Sequence, residues 1–192
     1  MEKTEYQFNT KTMEELKDDE TVLWTGRPEP FKLVNETNKK SLTLRWIICG
    51  ALFVLLTVLY TVFTVGSPAG FKPAVVIVLV IIFGYLMLAP VLDHNKAQKK
   101  CQYIVTDKRV LSAIGDNAVY AVGRAGLKLK AVPAEAGCVH LLFGAAADKL
   151  SASKYMVKAL VPIKAEGGGD EIVGLVFYNV KDSRELRDIF GY

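Results

Sequence analysis

Histidine and cysteine are scarce in this sequence. A chain of 192 residues carries two of the first and three of the second. A metal centre takes three or four ligands. Cys138 and His140, at i and i+2, share a strand face, but the only other imidazole is His94. No metal site and no cofactor are expected, and Cys138 and His140 are read as packing residues. The three cysteines, Cys49, Cys101 and Cys138, are widely spaced and odd in number, which argues against a disulfide framework and for free thiols. Signatures of catalysis are missing as well: there is no G-x-S-x-G, no H-E-x-x-H and no Cys/His nucleophile arrangement. Gly167-Gly168-Gly169 lacks the GK[ST] of a phosphate loop and is flanked by Glu166, Asp170 and Glu171, so it reads as a hairpin loop. The net charge of +4 has no dense basic stripe, so nucleic acid is not an expected partner. The opening MEKTEYQFNT has no apolar stretch, and no cleavable signal peptide is expected. The chain is expected not to be an enzyme.

What the sequence does have is two long uncharged runs. Trp46 to Phe71 reads WIICGALFVLLTVLYTVFTVGSPAGF, and Pro73 to Leu92 reads PAVVIVLVIIFGYLMLAPVL. About 20 apolar residues cross a ~30 Å hydrocarbon layer as a helix. Neither run has the polar face at a 3.6-residue period that a soluble amphipathic helix would show. Two spans, at about 46–66 and 73–92, are expected, joined by the short turn GSPAGFK. Lys39, Lys40 and Arg45 precede the first, and Lys96, Lys99 and Lys100 follow the second; the loop has only Lys72. This bias predicts a multi-pass protein of the plasma (inner) membrane with both termini cytoplasmic. The interiors of the spans contain no ionisable residue, which speaks for an anchor and against an ion or proton path.

The division expected is an N-terminal cytoplasmic arm (1–45), the transmembrane hairpin (46–92) and a C-terminal cytoplasmic domain (93–192). In the arm, Thr12 and Glu15 fit a capping box for a short helix at 12–19. Acidic residues dominate its first twenty positions and basic ones the remainder, which brings positive charge toward an anionic leaflet. Beyond Leu92, apolar and polar residues alternate over short runs, the pattern of strands. CQYIVTDKRVLSAI reads as a hairpin turning at Asp107-Lys108. Further strands are expected at 118–122, 127–132, 138–144, 155–163 and 172–180. The terminal KDSRELRDIFGY is expected to be a helix capped by Asp182 and Glu185, with Leu186, Ile189 and Phe190 on one face and Gly191 as its stop.

Two short motifs then stand in order around the hairpin. The first is Glu20-Thr-Val-Leu-Trp24-Thr-Gly26-Arg27-Pro28, and the second is Tyr103-Ile-Val-Thr106-Asp107-Lys-Arg109-Val-Leu. From about residue 20 to the end, the chain resembles the bacterial pleckstrin-homology-like (PH-like) membrane proteins, with their E-x-V-L-x-x-G-R-P element, helical hairpin and Y-x-x-T-D-x-R motif. The resemblance implies an α+β membrane protein: a transmembrane helical hairpin followed by a PH-like, seven-stranded antiparallel β-barrel capped by a C-terminal helix. It also implies a non-enzymatic interaction module. The family-motif residues Trp24, Gly26, Arg27, Pro28, Tyr103, Thr106, Asp107 and Arg109 are read as structural, with Thr106 and Asp107 building a turn and Arg109 pairing with an acid or the membrane surface. Trp24 and its neighbours either dock on the domain or rest at the interface.

The function expected is a membrane-anchored protein-interaction (scaffold or assembly) module at the inner face of the plasma membrane. Its partners are membrane lipids through the two spans, together with a protein partner or a second copy of itself. The alternative is a sensor of anionic lipid or a small ligand, with Lys39, Lys40, Arg45, Lys96, Lys99, Lys100 and Lys108 as candidate lipid contacts.

Overall fold

The computed structural model describes residues 15–17, 19–34, 38–65, 67–68, 70–116, 118–167 and 169–192. The helix expected at 12–19 falls in part outside them, as do Gly66, Asn117 and Gly168. The chain divides into two compact units, one of residues 32–92 and one that joins the arm up to Phe31 with Asp93–Tyr192.

Residues 32–92 are built on two helices, α1 (Lys39–Thr64) and α2 (Pro73–Lys100), whose last turns continue into the other unit. Both helices are long and apolar enough to cross a membrane. Both extend past the uncharged runs, so Lys39, Lys40, Arg45, Lys96, Lys99 and Lys100 are helical. Most of their large apolar residues are exposed. Hydroxyls in α1 are satisfied within the helix: Thr57 donates to the Phe53 carbonyl, Thr61 to that of Thr57 and Thr64 to that of Tyr60, each at 2.8 Å. A helix in hydrocarbon must close its polar groups in this way. Pro90, inside α2, has no N–H to give the carbonyl of Leu86 four residues earlier. Arg45 of α1 donates to that carbonyl at 3.3 Å, and the Trp46 indole N–H to the Met87 carbonyl at 3.2 Å. At the other end, the Tyr60 hydroxyl bridges the Lys72 backbone, donating to its carbonyl at 3.0 Å and accepting from its N–H at 2.9 Å. Phe53 packs on Phe83 midway, with ring centres 5.7 Å apart.

The other unit is a pair of antiparallel sheets. The first has the order β1 (Val22–Gly26), β2 (Cys101–Thr106), β3 (Arg109–Ile114), β4 (Ala118–Gly123). The second comprises β5 (Leu129–Pro133), β6 (Cys138–Gly144), β8 (Ile172–Lys181) and β7 (Ile163–Lys164), with β8 between β6 and β7. Alternation along the strands sends one set of side chains into a shared core. Tyr103, Val105, Val110 and Ile114 from the first sheet meet Val139, Leu141, Phe143, Leu175, Phe177 and Val180 from the second, with Ala97 of α2. Short helices α3 (Ala145–Lys149) and α4 (Tyr155–Leu160) lie between β6 and β7, and packing there forms a second cluster around Leu142, Ala146, Tyr155 and Tyr178. The terminal helix α5 (Arg184–Phe190) sends Leu186, Ile189 and Phe190 to the main core.

The architecture is therefore α+β, with two long apolar helices and two four-stranded antiparallel sheets that form no closed barrel among the described residues, where a seven-stranded barrel is expected. The strand expected over 155–163 is a helix at Tyr155–Leu160 and a strand only at Ile163–Lys164. Its buried residues, Tyr155, Ala159 and Leu160, recur at helical spacing, and burial of that face overrides the β preference of the valine between them. The cap of α5 is Ser183, whose hydroxyl accepts from the Leu186 N–H at 3.3 Å. Asp182 instead takes the Arg187 guanidinium, with Nε at 2.9 Å. Gly191 closes the helix in the left-handed conformation, at φ 68°.

Candidate functional site

The two sequence motifs meet. β1 anneals to β2 in antiparallel register, with Trp24 opposite Val105 and Gly26 opposite Tyr103. At one end of this pairing the Asp107 N–H donates to the Thr21 carbonyl at 3.0 Å, and the Asp107 carboxylate accepts from the Thr21 N–H at 2.9 Å. Thr106 builds the β2–β3 turn: its hydroxyl accepts from the N–H groups of Lys108 (3.2 Å) and Arg109 (2.8 Å). Arg109 forks onto Glu20, Nε to Oε1 at 2.7 Å and its terminal nitrogen to Oε2 at 3.1 Å, and also donates to the Glu15 carbonyl at 2.8 Å. Glu20 is 1% exposed and Arg109 20%, so this is a buried, bidentate pair. The acid that the sequence left unspecified for Arg109 is thus supplied by the arm.

Trp24 joins the core and stacks on Phe177, with ring centres 6.1 Å apart; Phe177 stacks in turn on Tyr103 at 4.3 Å. Gly26 lies beneath that indole. A Cβ at position 26 would come within 2.4 Å of the Trp24 ring. The Tyr103 hydroxyl accepts from the Tyr178 N–H at 3.0 Å, and burial drives its pKa well above the usual phenol value. Pro28 is buried. Beyond it the arm is pinned to β8. The Glu29 N–H donates to the Asn179 carbonyl at 2.8 Å, and the Asn179 amide donates back to the Glu29 carbonyl at 3.0 Å. Asn179 sits at φ 52°, in the register shift of β6 against β8. Its own N–H donates to His140 Nδ1 at 3.0 Å. Burial lowers the His140 pKa to about 4, so this imidazole is a neutral acceptor stacked on Tyr178 at 4.4 Å. Phe31 packs edge-on against His94 and Tyr178, and its carbonyl accepts from His94 Nε2 at 2.8 Å.

Arg27 has a different surrounding from the rest of its motif. It is exposed and lines a cleft of about 250 Å³ with Lys99, Lys100, Cys101, Gln102, Ala113, Gly115 and Asp116. The cleft is made where β1 ends, α2 passes into β2, and β3 turns toward β4. No carboxylate lies within ion-pair distance of Arg27, Lys99 or Lys100 among the described residues. Gln102 is 9% exposed, and its side-chain amide has no hydrogen-bond partner among the described residues. Burial pushes the Cys101 thiol up to about 12, which leaves it unreactive at neutral pH.

The candidate lipid contacts therefore separate. Lys99 and Lys100 meet in the cleft; Lys39, Lys40 and Lys96 are exposed helical residues. Arg45 serves the α2 backbone at Pro90. Lys108 pairs with Asp19, whose pKa that hydrogen bond holds below the usual carboxylate value. Sequence reasoning missed Gln102, Asp116 and Arg124. Arg124 donates to the Ile189 carbonyl of α5 at 2.7 Å and sits over the Phe190 ring, tying the terminal helix to the β4 end. Only Gln102 had a signal: alternation within CQYIVT puts it on the face opposite Tyr103. No metal-binding group of three or more His, Cys, Asp or Glu occurs among the described residues. No family model, curated protein or solved structure matches the chain.

Proposed function

We propose that this chain is a non-enzymatic, membrane-anchored PH-like protein that presents a protein-interaction surface at the inner face of the plasma membrane. The observation that carries the reading is the annealing of β1, which precedes the two apolar helices, to β2, which follows them. The helices are thus an insertion in one β-domain. If both cross the membrane, the chain re-enters the domain on the side from which it left. The exposed apolar residues along α1 and α2 support a lipid environment, because a core helix of a soluble fold would bury them. The lysines and arginine flanking the helices support a cytoplasmic domain.

The surface we assign to a partner is β4, which pairs as a strand only with β3 among the described residues and is half-buried, with Tyr120 and Val122 packed on the core. Its sequence AVYAVG carries neither the charge nor the proline that normally protects a free edge, and a free edge accepts a partner strand. The test is photo-crosslinking in native membranes from the full-length protein with a reactive side chain at Val119 or Ala121. A discrete adduct with another protein, or with a second copy, absent when the probe is at Lys154, is expected. Adducts equal at all three positions, or none, would refute the reading. A second reading, recognition of an anionic group, is favoured by the cleft at Arg27 and is taken up next.

A further inference from the structure

We propose that the cleft between Arg27, Lys99 and Lys100 is a binding site for a phosphomonoester, with the Gln102 amide as a further donor. It goes beyond the scaffold reading and stands without it, since every lining residue belongs to the β-domain unit.

Three cations converge there without an acidic partner among the described residues. Like charges brought together at one wall raise each other's electrostatic energy, and an anion between them removes that cost. With Asp116 on the same wall, the lining carries a net charge of two, which a phosphomonoester dianion neutralises and a single carboxylate does not. Phosphate also offers three acceptor oxygens, enough for a guanidinium, two ammonium groups and an amide N–H together. Gln102 gives the independent observation. It is 9% exposed, its side chain makes no hydrogen bond among the described residues, and it lines the same space as the cations, where its amide N–H is free to meet a ligand oxygen. The volume of about 250 Å³ lies below the roughly 300–1,000 Å³ of drug-sized sites and suits a small ester. Lys99 and Lys100 follow the uncharged run of α2 by seven and eight residues, so either a lipid headgroup or a soluble ester supplies the phosphate.

Both sources are tested on the full-length protein. Glycerol 3-phosphate is titrated calorimetrically into protein in an uncharged detergent. Competition then uses nanodiscs of phosphatidylcholine with and without phosphatidic acid. Wild type is expected to bind the ester. The pair Arg27→Gln with Lys100→Gln should weaken binding about tenfold or more, since two charge-assisted hydrogen bonds are lost. Asp116→Asn should tighten it several-fold by removing a repelling charge, a gain that a misfolded variant does not give. The control pair Lys130→Gln with Lys154→Gln, equal in charge and remote from the cleft, should leave it unchanged. Displacement of the ester by phosphatidic acid discs alone assigns the site to the lipid; no displacement assigns it to a soluble ester. Absence of binding to either probe, or equal weakening by the control pair, overturns the proposal.

Discussion

Arg109→Met is the substitution that most sharply separates this structure from one in which the arm merely rests on the domain. It leaves the Glu20 carboxylate, 1% exposed, without its two hydrogen bonds at 2.7 and 3.1 Å. Removing one partner of a buried pair costs about 3–5 kcal/mol, because the remaining charge is neither solvated nor compensated. For a domain of this size that is roughly 12–20 °C in melting temperature. The reciprocal change, Glu20→Gln, is expected to cost less, about 1–2 kcal/mol. Arg109 is 20% exposed, and its guanidinium can reach water while it keeps the Glu15 carbonyl. The assay is thermal unfolding of the full-length protein in detergent. A cost below about 1 kcal/mol for Arg109→Met, or equal costs for the two variants, would refute the buried pairing of arm and domain.

Three further outcomes are expected. Gly26→Ala should destabilise by about 1–3 kcal/mol through overpacking and shift tryptophan emission, since the new Cβ meets the Trp24 indole at 2.4 Å; an unchanged melt and spectrum would contradict the packing. His140, at about 4 when folded and near 6.5 when unfolded, makes the unfolded chain the stronger proton binder between those values. Its contribution is present above pH 6.5 and is lost as the pH falls toward 4, by at most about 3 kcal/mol; His140→Gln, which keeps an acceptor for Asn179, should flatten that slope. Arg45→Ala should cost about 0.5–1.5 kcal/mol less when Pro90→Ala restores an N–H to the Leu86 carbonyl, read as a double-mutant cycle in detergent unfolding; strict additivity would mean the Arg45 bond does not fill the gap at Pro90.

Local chemistry was legible in the sequence where a strand or turn is decided by near neighbours. Alternation gave β2, β3, β6 and β8, the spacing of Leu186, Ile189 and Phe190 gave α5, and Thr106-Asp107 gave its turn. The Tyr155–Leu160 segment, YMVKAL, is too short for its period to decide between strand and helix, and only the burial of Tyr155, Ala159 and Leu160 settles it as a helix. Asp182 and Ser183 are both good caps; the competing attraction of Arg187 for Asp182 settles the matter. The pairing of Trp24 with Val105 was out of reach for a different reason. It joins segments separated by the whole helical hairpin, and register over that separation is fixed by packing against Phe177, not by any local preference. The cleft is distributed in the same way. Arg27, Gln102 and Asp116 belong to three chain segments, and only the register of β1, β2 and β3 brings them to one wall.

The account rests on β1 being a strand of the domain across the inserted hairpin. Hydrogen exchange on the full-length protein in lipid nanodiscs measures this directly. The β1 amides that pair with β2 should exchange on the timescale of the β2 and β3 amides, and Arg109→Met should release them first. Fast exchange of 22–26, matching the turn at 124–126 while β2 and β3 remain protected, would contradict it.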